Sequence, residues 1–398
     1  MASHDVGDSP AGASRWGGSG TVMAKSDWDR PPWNRWSFQH VREILPTAEI
    51  WRGRGPVRDL PRREEQLDDL PVEGFGGTAI PLLGFLEESF TDGLLVLRDG
   101  AVAYERYLNG MHERTLHLSQ SVAKSFVGVL AGILAGRGVI ATETELATIV
   151  PELADTAYLG ARLRHVLDMT SGVRFTEDYT DPRSGMARLD VAAGWKPPPD
   201  AAVRWPGTVL ELIGCLDVVE APHGSRFSYR SIETDVLALV LERATGGRLP
   251  DLLSEMLWQP LGMEESGNIT VDAAGFALGD GGLSATLRDY GRFGQMILDH
   301  GAGIVPEDWI AATRSADHAV FGAPYDAVLP RGGYRNQFWV EDEVGRNLMA
   351  RGVFGQLIHI DFARRTVVVK LSSWPHFVNP GWTKATLAAV RRIGAALG

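Results

Sequence analysis

Ser121 and Lys124 are the residues of this chain whose types and spacing can support nucleophilic catalysis. They stand three positions apart, so a helix would place both side chains on one face. A serine hydroxyl is a weak nucleophile until a base removes its proton. A lysine amine can be that base if burial lowers its pKa, because desolvation disfavours the ammonium form. The spacing predicts a Ser-x-x-Lys pair with Ser121 as nucleophile and Lys124 as base, the alternative being that Ser121 only caps a helix.

The stretch that follows this pair favours the catalytic interpretation. Residues 126–135 are apolar or small almost throughout, and a helix that is apolar on all sides belongs in a protein core. A lysine at the buried start of such a helix costs free energy unless it has a partner or a function. We therefore expect Lys124 to be buried beside Ser121.

The composition limits the classes of protein to consider. The 398 residues are 44% hydrophobic and 22% charged, which is typical of a globular protein with two structural lobes. The net charge of -11, without a basic run, gives no support for a nucleic-acid partner. The single cysteine, Cys215, fits a reducing compartment. Without a secretory signal or a long apolar span, we expect a flexible leader over 1–25, no membrane partner and a cytoplasmic location.

Several motifs with a defined chemistry are absent from the sequence. His112 and His117 are five positions apart, whereas a zinc-binding helix needs four, and no Cys-x-x-Cys pair occurs. Neither a Gly-x-Ser-x-Gly elbow nor a phosphate-binding loop is present, which excludes the α/β-hydrolase and P-loop classes. We expect neither a metal nor a cofactor.

The pattern of elements predicts an α+β fold. Residues 93–107 form a hairpin around an Asp-Gly turn, and residues 356–373 form a second hairpin. Helical segments lie between them, and a closing helix spans 380–397. The economical fold is one antiparallel sheet built from both chain ends, flanked by helices, with an inserted helical lobe.

We divide the chain on this basis. Residues 26–160 and 270–398 form a discontinuous sheet-plus-helix domain, and residues 161–269 form a helical domain with an active-site loop. This loop is the polar, Pro-rich stretch 173–207, since a loop of such length is usually functional or disordered. Residues 27–75 show little periodicity and are expected to wrap the surface.

Two further motifs resemble those of serine β-lactamases and penicillin-binding proteins. Phe227-Ser228-Tyr229-Arg230-Ser231 resembles their Tyr-x-Asn motif and its helix, and residues 167–172 resemble a stretch of the class C enzymes. The resemblance covers roughly residues 90 to 395. It implies a β-lactamase/transpeptidase-like fold.

A narrower resemblance is to the 6-aminohexanoate-dimer hydrolases, which are amide hydrolases of this fold that degrade nylon oligomers and also cleave short carboxylic esters. The motifs that carry it are Trp33-Asn34-Arg35-Trp36, Glu177-Asp178-Tyr179, Asp190, Gly194-Trp195, residues 229–238, Gly281-Gly282 and residues 370–375.

This resemblance implies a role for each residue of the catalytic group. Ser121 attacks the carbonyl carbon and Lys124 takes the serine proton. Tyr229 shares that proton network and delivers a proton to the leaving amine. The backbone N–H groups of Ser121 and Val353 form the oxyanion hole.

The resemblance also implies contacts to the substrate. The Tyr179 hydroxyl hydrogen-bonds the scissile amide nitrogen, and Asp190 pairs with the free ammonium of an aminohexanoate oligomer. Trp195 helps to close a loop over the site, which would expel water. Asp280 adds to the acidic end of the pocket, or else it caps the following turn.

The chain departs from the family pattern at three positions. Ala350-Arg351-Gly352 replaces the third motif, Lys-Thr-Gly, which counts against a β-lactam carboxylate as ligand, although Arg351 can partly substitute. The middle motif ends in Ser231 where Asn is usual. Asp280 stands where the hydrolases have an uncharged amide.

The favoured hypothesis is a serine hydrolase for linear 6-aminohexanoate-type amides that acts through an acyl-enzyme, with carboxylesterase side activity. One alternative is a carboxylesterase of this fold with little amidase activity, and another is a D-aminopeptidase or β-lactamase-like enzyme. A more distant alternative is a non-catalytic ligand-binding protein. The expected partner is a small-molecule amide or ester, and the resemblance is consistent with a homodimer.

Overall fold

A computed structural model describes residues 23–398, so the predicted leader lies outside the described residues except for its last three positions. The described part contains thirteen strands: β1 (Thr47–Ile50), β2 (Pro71–Glu73), β3 (Ala79–Pro81), β4 (Thr91–Arg98), β5 (Ala101–Tyr107), β6 (His117–Leu118), β7 (Gly267–Thr270), β8 (Leu283–Ala285), β9 (Gly333–Arg335), β10 (Phe338–Val340), β11 (Leu348–Gly352), β12 (Gln356–Asp361) and β13 (Thr366–Ser372).

The same residues form thirteen α-helices: α1 (Asn34–Ser37), α2 (Leu82–Glu88), α3 (Ala123–Gly136), α4 (Leu146–Ile149), α5 (Leu163–Leu167), α6 (Gly185–Ala192), α7 (Val209–Gly214), α8 (Ile232–Thr245), α9 (Leu249–Leu253), α10 (Gln259–Leu261), α11 (Leu287–Leu298), α12 (Glu307–Thr313) and α13 (Pro380–Leu397). Within residues 23–398, no helix combines the length and apolarity needed to cross a membrane.

A seven-stranded antiparallel sheet joins the two ends of the chain, as the sequence predicts. Its strand order is β5-β4-β13-β12-β11-β10-β9, so the N-terminal hairpin pairs with the C-terminal hairpin through β4 and β13. Both predicted hairpins are present. The prediction of an antiparallel sheet built from both chain ends is therefore confirmed.

Helices cover both faces of this sheet. Leu95 and Leu97 of β4 belong to the main core beside helix α11, whereas Leu94 and Val96 face the second core, which includes residues of α13. Successive strand side chains point to opposite faces, so a strand covered on both sides has an unbroken apolar sequence. This explains why β4 lacks the alternation of a half-exposed strand.

The N-terminal segment enters the core over residues 28–50 and follows the surface over residues 51–66. Trp28, Phe38 and Ile50 are fully buried, and β1 pairs with β7 in a four-stranded sheet of order β1-β7-β8-β6. The expectation of a surface wrap over 27–75 was wrong for residues 28–50, because their buried positions follow no helical or strand period that the sequence could reveal. Strand β7 also crosses the predicted domain boundary between residues 269 and 270.

The long stretch 173–207 is only partly irregular. It contains helix α6, whose first turn is capped by Ser184, since the Ser184 hydroxyl accepts a hydrogen bond from the Ala187 N–H. The prediction of one continuous loop was wrong at this point. Asp190 consequently lies on a helix.

Candidate active site

Ser121 lies in a strained turn directly before helix α3. The turn Gln120–Val122 is a 3₁₀-helix, and α3 begins at Ala123. Gln120 has a φ of 50°, a left-handed conformation that is unusual for a residue with a side chain. Ser121 therefore precedes the α-helix, although the three-residue spacing still brings it against Lys124.

Lys124 is buried, and its amino group forms hydrogen bonds with three oxygen atoms. Its Nζ lies 3.0 Å from Ser121 Oγ, 3.1 Å from Ser231 Oγ and 2.6 Å from the Asp280 carbonyl oxygen. Only about 1% of the Lys124 surface is exposed. The predicted pairing of Ser121 with a buried Lys124 is present in the structure.

The hydrogen-bond partners of Lys124 fix the orientation of its amino group, so that one hydrogen or the lone pair of the nitrogen points at Ser121. Ser231 Oγ donates to Glu177 Oε1 at 2.7 Å, so this hydroxyl accepts from Lys124. The Asp280 carbonyl oxygen can only accept. An ammonium would donate its third hydrogen to Ser121, whereas a free amine would present its lone pair there. The arrangement can thus receive a proton from Ser121.

The charge environment of Lys124 differs from the sequence-based expectation. Burial by itself lowers the pKa of Lys124, but the Tyr229 oxygen and the carboxylates of Asp280 and Glu177 outweigh it and raise the pKa above its ordinary value. Burial acts in the predicted direction, but the sequence did not show how many acidic groups surround the amine and oppose it.

Tyr229 is held beside this pair by aromatic neighbours. Its ring stacks on Trp339 with centroids 5.3 Å apart, and its backbone N–H donates to the Tyr325 hydroxyl at 2.9 Å. Burial raises the pKa of Tyr229, while the positive charge of Lys124 and a hydrogen bond with Ser121 act in the opposite direction. Tyr229 thus lies beside both residues of the pair, with Lys124 Nζ 5.3 Å from the centre of its ring.

Val353 follows strand β11 at the edge nearest to Ser121. The strand ends at Gly352, where a Cβ atom would lie 2.6 Å from the Ser119 carbonyl oxygen and 3.0 Å from the Ser121 nitrogen. Glycine is required at this close approach of two backbones. Ser121 and Val353 both border the same pocket, as two residues that supply oxyanion donors must.

Glu177 is a site residue to which sequence analysis gave no role. Its carboxylate accepts from the Ser231 backbone N–H at 2.8 Å and from the Tyr179 hydroxyl at 2.7 Å. It therefore links Tyr179 to the hydroxyl that Lys124 contacts. Tyr179 keeps its lone pairs available for an amide N–H. Glu177 lies in an irregular segment, so only its two-residue spacing from Tyr179 could have indicated it.

Asp190 already has a cationic partner within the chain. Lys196 Nζ lies 3.1 Å from the Asp190 carboxylate and 2.7 Å from that of Asp29. Burial raises the pKa of Asp190 to about 6, although the charge of Lys196 opposes this shift. The predicted pairing of Asp190 with a substrate ammonium remains a prediction, and sequence analysis missed Lys196 as its competitor.

Trp195 forms a fixed part of the pocket wall. Its indole N–H donates to Thr270 Oγ1 at 3.1 Å, and its carbonyl oxygen accepts from the Trp28 indole at 3.0 Å. These bonds anchor the segment after α6. The movement of Trp195 over a bound substrate remains a prediction.

Asp280 borders both the pocket and Lys124. Its carboxylate lies 4.0 Å from Lys124 Nζ, and its backbone N–H donates to the buried Asp235 carboxylate at 3.2 Å. Burial raises the pKa of Asp280 to about 6, against the opposing charge of Lys124. Asp280 is thus placed to influence the lysine as well as a ligand.

The structure gathers the predicted residues around Ser121. A small pocket is lined by Ser121, Tyr179, Asp190, Trp195, Asp280 and Val353. An adjoining cavity of about 370 Å³ is lined by Ser121, Tyr179, Tyr229 and Val353 among others. Lys124 contacts Ser121, which lines both of them. The nucleophile pair therefore stands between an acidic pocket and a larger cavity.

Comparison with known proteins identifies the family to which the chain belongs. Residues 87–391, well over half of the chain, match the family described as Beta-lactamase. The chain belongs to the beta-lactamase family. It is 34% identical over 360 residues to 6-aminohexanoate-dimer hydrolase from Paenarthrobacter ureafaciens, an alignment that covers 87% of each protein.

Two further relatives support the assignment. A solved structure of a same-named protein from Bacillus anthracis superposes with a TM-score of 0.86 at 29% identity, covering 94% of this chain and 97% of that one. Esterase EstB from Burkholderia gladioli is 29% identical over 196 residues, which is 46% of this chain and 48% of that protein. The protein is a hydrolase with the beta-lactamase fold.

Proposed function

We propose that this protein is a serine hydrolase for linear amides of the 6-aminohexanoate type, acting through an acyl-enzyme on Ser121 and cleaving carboxylic esters as a side reaction. The observation that carries the proposal is the 3.0 Å contact between Ser121 Oγ and the buried Lys124 amine. The 34% identity to 6-aminohexanoate-dimer hydrolase supports the substrate class.

In the proposed reaction, Ser121 attacks the amide carbonyl carbon and its proton passes to the free-amine form of Lys124. The oxyanion accepts hydrogen bonds from the N–H groups of Ser121 and Val353. Tyr229 then gives its proton to the departing amine and takes up the proton that Lys124 received from Ser121, so Lys124 is again a free amine. Water hydrolyses the resulting ester, with the same base assisting. Because nearby anions raise the pKa of Lys124, the active fraction grows as the pH rises above neutral.

The acidic pocket supports an ammonium on the acyl side of the substrate. Asp29, Asp190 and Asp280 line this pocket, and Lys196 compensates only part of their charge. Tyr179 borders the junction with the larger cavity, where the scissile amide would lie. Such an arrangement orients an aminoacyl chain with its charged end away from Ser121.

The proposal is tested by measuring 6-aminohexanoate release from its linear dimer, together with hydrolysis of p-nitrophenyl butyrate. We expect both reactions in the native enzyme and neither in Ser121→Ala. Ser225→Ala removes an exposed hydroxyl outside the site and serves as the matched control. Ester cleavage without any amide cleavage would contradict the amidase assignment, and activity retained in Ser121→Ala would contradict the nucleophile.

A carboxylesterase with little amidase activity is the second candidate. One observation that favours it is the ion pair of Asp190 with Lys196, because Lys196 already neutralises the carboxylate that was expected to bind a substrate ammonium. The similarity to Esterase EstB also favours it. A simple ester has no ammonium on its acyl side, so its hydrolysis depends less on the acidic pocket.

Asp190→Asn separates the two candidates. If Asp190 binds the substrate ammonium, kcat/KM for the linear dimer should fall by roughly 10- to 100-fold, the usual range for a charge-assisted hydrogen bond. Hydrolysis of p-nitrophenyl butyrate, which has no ammonium, should fall much less. Equal losses in both reactions would show that Asp190 only supports the local structure.

A further inference from the structure

Asp235 is a buried carboxyl group close to the site, and the proposed reaction gives it no role. It lies in helix α8, and its side chain is fully buried. Its Oδ1 accepts a hydrogen bond from the Asp280 backbone N–H at 3.2 Å. Within residues 23–398, its Oδ2 has no hydrogen-bond partner. The contact with Asp280 is therefore the interaction through which Asp235 can act on the site.

The Asp280 backbone connects this carboxyl group to the base. Its N–H is held by Asp235, and its carbonyl oxygen accepts from Lys124 Nζ at 2.6 Å. This is the shortest of the three hydrogen bonds of the amine, which also lies 3.0 Å from Ser121 Oγ. A shift of the Asp280 backbone would consequently move the acceptor that orients the lysine.

Helix α8 thus contributes twice to the surroundings of Lys124. Ser231, directly before the helix, accepts a hydrogen bond from the amine at 3.1 Å, and Asp235 follows four positions later. Positions four apart lie on the same face of a helix. This face acts on the lysine directly through Ser231 and indirectly through the Asp280 backbone.

The surroundings of Asp235 favour an uncharged carboxyl group. Burial and then the neighbouring Asp280 carboxylate raise the pKa of Asp235 well above its ordinary value, although the charge of Lys124 opposes this shift. An ionised carboxylate would also leave a buried anionic oxygen without a partner, which costs free energy. An uncharged carboxyl group keeps a carbonyl oxygen for the Asp280 N–H. A carboxamide offers the same oxygen, so Asn is a close mimic of this group.

We propose that Asp235 is a positioning residue for the base, Lys124. Its carboxyl group holds the Asp280 backbone, and the Asp280 carbonyl oxygen then holds the lysine amine against the serine. Asp235 lines neither of the two cavities of the site, so it acts through these groups and not on the substrate. The proposal rests on the proposed function only in taking Lys124 as the base.

Two substitutions test the proposal through hydrolysis of p-nitrophenyl butyrate. Asp235→Ala removes the acceptor, so kcat should fall about 10- to 100-fold while KM changes by less than about threefold. Asp235→Asn keeps an acceptor oxygen and should restore kcat to within about threefold of the native value. Native kcat in Asp235→Ala would overturn the proposal, and so would a kcat in Asp235→Asn as low as in Asp235→Ala.

Asp272→Ala is the matched control for a loss of stability alone. Asp272 is also buried, and its carboxylate accepts from the backbone N–H groups of Val209, Ala274 and Phe276 at 2.9 Å. It lines neither cavity of the site. Urea denaturation should show that both Ala variants are less stable than the native protein, but only Asp235→Ala should lose kcat. Equal losses of kcat would mean that Asp235 acts only through stability, which would overturn the proposal.

A labelling measurement separates this proposal from the amidase assignment. A fluorophosphonate probe reacts covalently with an activated serine and requires no amide substrate. The rate of labelling of Ser121 should fall about 10- to 100-fold in Asp235→Ala and return to within about threefold of the native rate in Asp235→Asn. This pattern would support the positioning role even if the linear dimer is not cleaved. Equal labelling rates in the native protein and both variants would overturn it.

Discussion

At the scale of single residues, the hydrogen bonds of Lys124 determine how its amino group is oriented toward Ser121. Ser231 Oγ and the Asp280 carbonyl oxygen each accept a hydrogen bond from the Lys124 amino group. The third hydrogen-bonding direction of the nitrogen faces Ser121. Ser231 is itself committed to Glu177. The orientation of the base is therefore fixed by groups that lie outside the Ser-x-x-Lys spacing.

Replacing Ser231 with Ala tests this orientation. The variant removes one acceptor from Lys124 and leaves the Glu177 carboxylate with one partner fewer, so we expect kcat for p-nitrophenyl butyrate to fall about 10- to 100-fold. Ser225→Ala is the matched control, since that hydroxyl is exposed and contacts only the Pro222 carbonyl oxygen. A Ser231→Ala enzyme with native kcat would show that Lys124 is oriented without it.

Replacing Asp280 with Asn tests the electrostatics of Lys124. The Asp280 carboxylate raises the pKa of Lys124, so its removal should lower that pKa and supply free amine at lower pH. The rising limb of the pH profile of kcat/KM should therefore move to lower pH. Asp181→Asn, which changes a carboxylate whose side chain is 40% exposed, should leave the limb in place. A shift to higher pH would contradict Lys124 as the base.

Sequence spacing predicts the catalytic group better than its supporting groups. Ser121 and Lys124 lie in one short motif whose spacing keeps them close, and the structure pairs them. Tyr229 is distant in the chain and was predicted only because its motif resembles that of the family. The contact of Glu177 with Ser231 joins positions far apart in the chain, as does the position of Asp280 beside Lys124. Such contacts depend on tertiary folding, so local patterns do not indicate them.

At the scale of elements, helix α3 positions Lys124 by packing tightly against its neighbours. A Cβ atom at Gly132 would lie 2.6 Å from the Trp309 ring, closer than packed atoms can approach. The sequence predicted this helix because its apolar run is long, and a long run of this kind indicates a helix and not a strand. It did not predict α6, because that helix is short and its sequence is mixed in polarity.

Two glycine substitutions distinguish packing from backbone effects. Gly132→Ala should lower the free energy of unfolding by about 1–3 kcal/mol, since the added methyl overpacks the contact with Trp309. Gly84→Ala, in helix α2, meets no atom within 4 Å and should raise it by about 0.4–1 kcal/mol. Urea denaturation measures both. Stabilisation by Gly132→Ala would show that α3 and Trp309 can move apart without cost.

At the scale of the whole molecule, the N-terminal segment connects the main sheet to the pocket. The Arg35 guanidinium pairs with the buried Asp92 at 3.1 Å, close to the start of β4. Asp29 shares Lys196 with Asp190 at the pocket itself. Together with the burial of Trp28, these contacts make a segment without clear periodicity part of the site, which only the folded chain reveals.

Replacing Trp28 with Phe measures how strongly this segment is held. The variant keeps an aromatic ring but loses the hydrogen bond to the Trp195 carbonyl oxygen, leaving a buried acceptor without a partner. We expect the free energy of unfolding to fall by about 1–3 kcal/mol in urea denaturation. Trp51→Phe changes an indole that is 46% exposed and should stay within about 0.5 kcal/mol of the native protein. Equal effects of the two substitutions would mean that the segment is held by its other contacts and that the Trp28–Trp195 bond does not anchor the pocket wall.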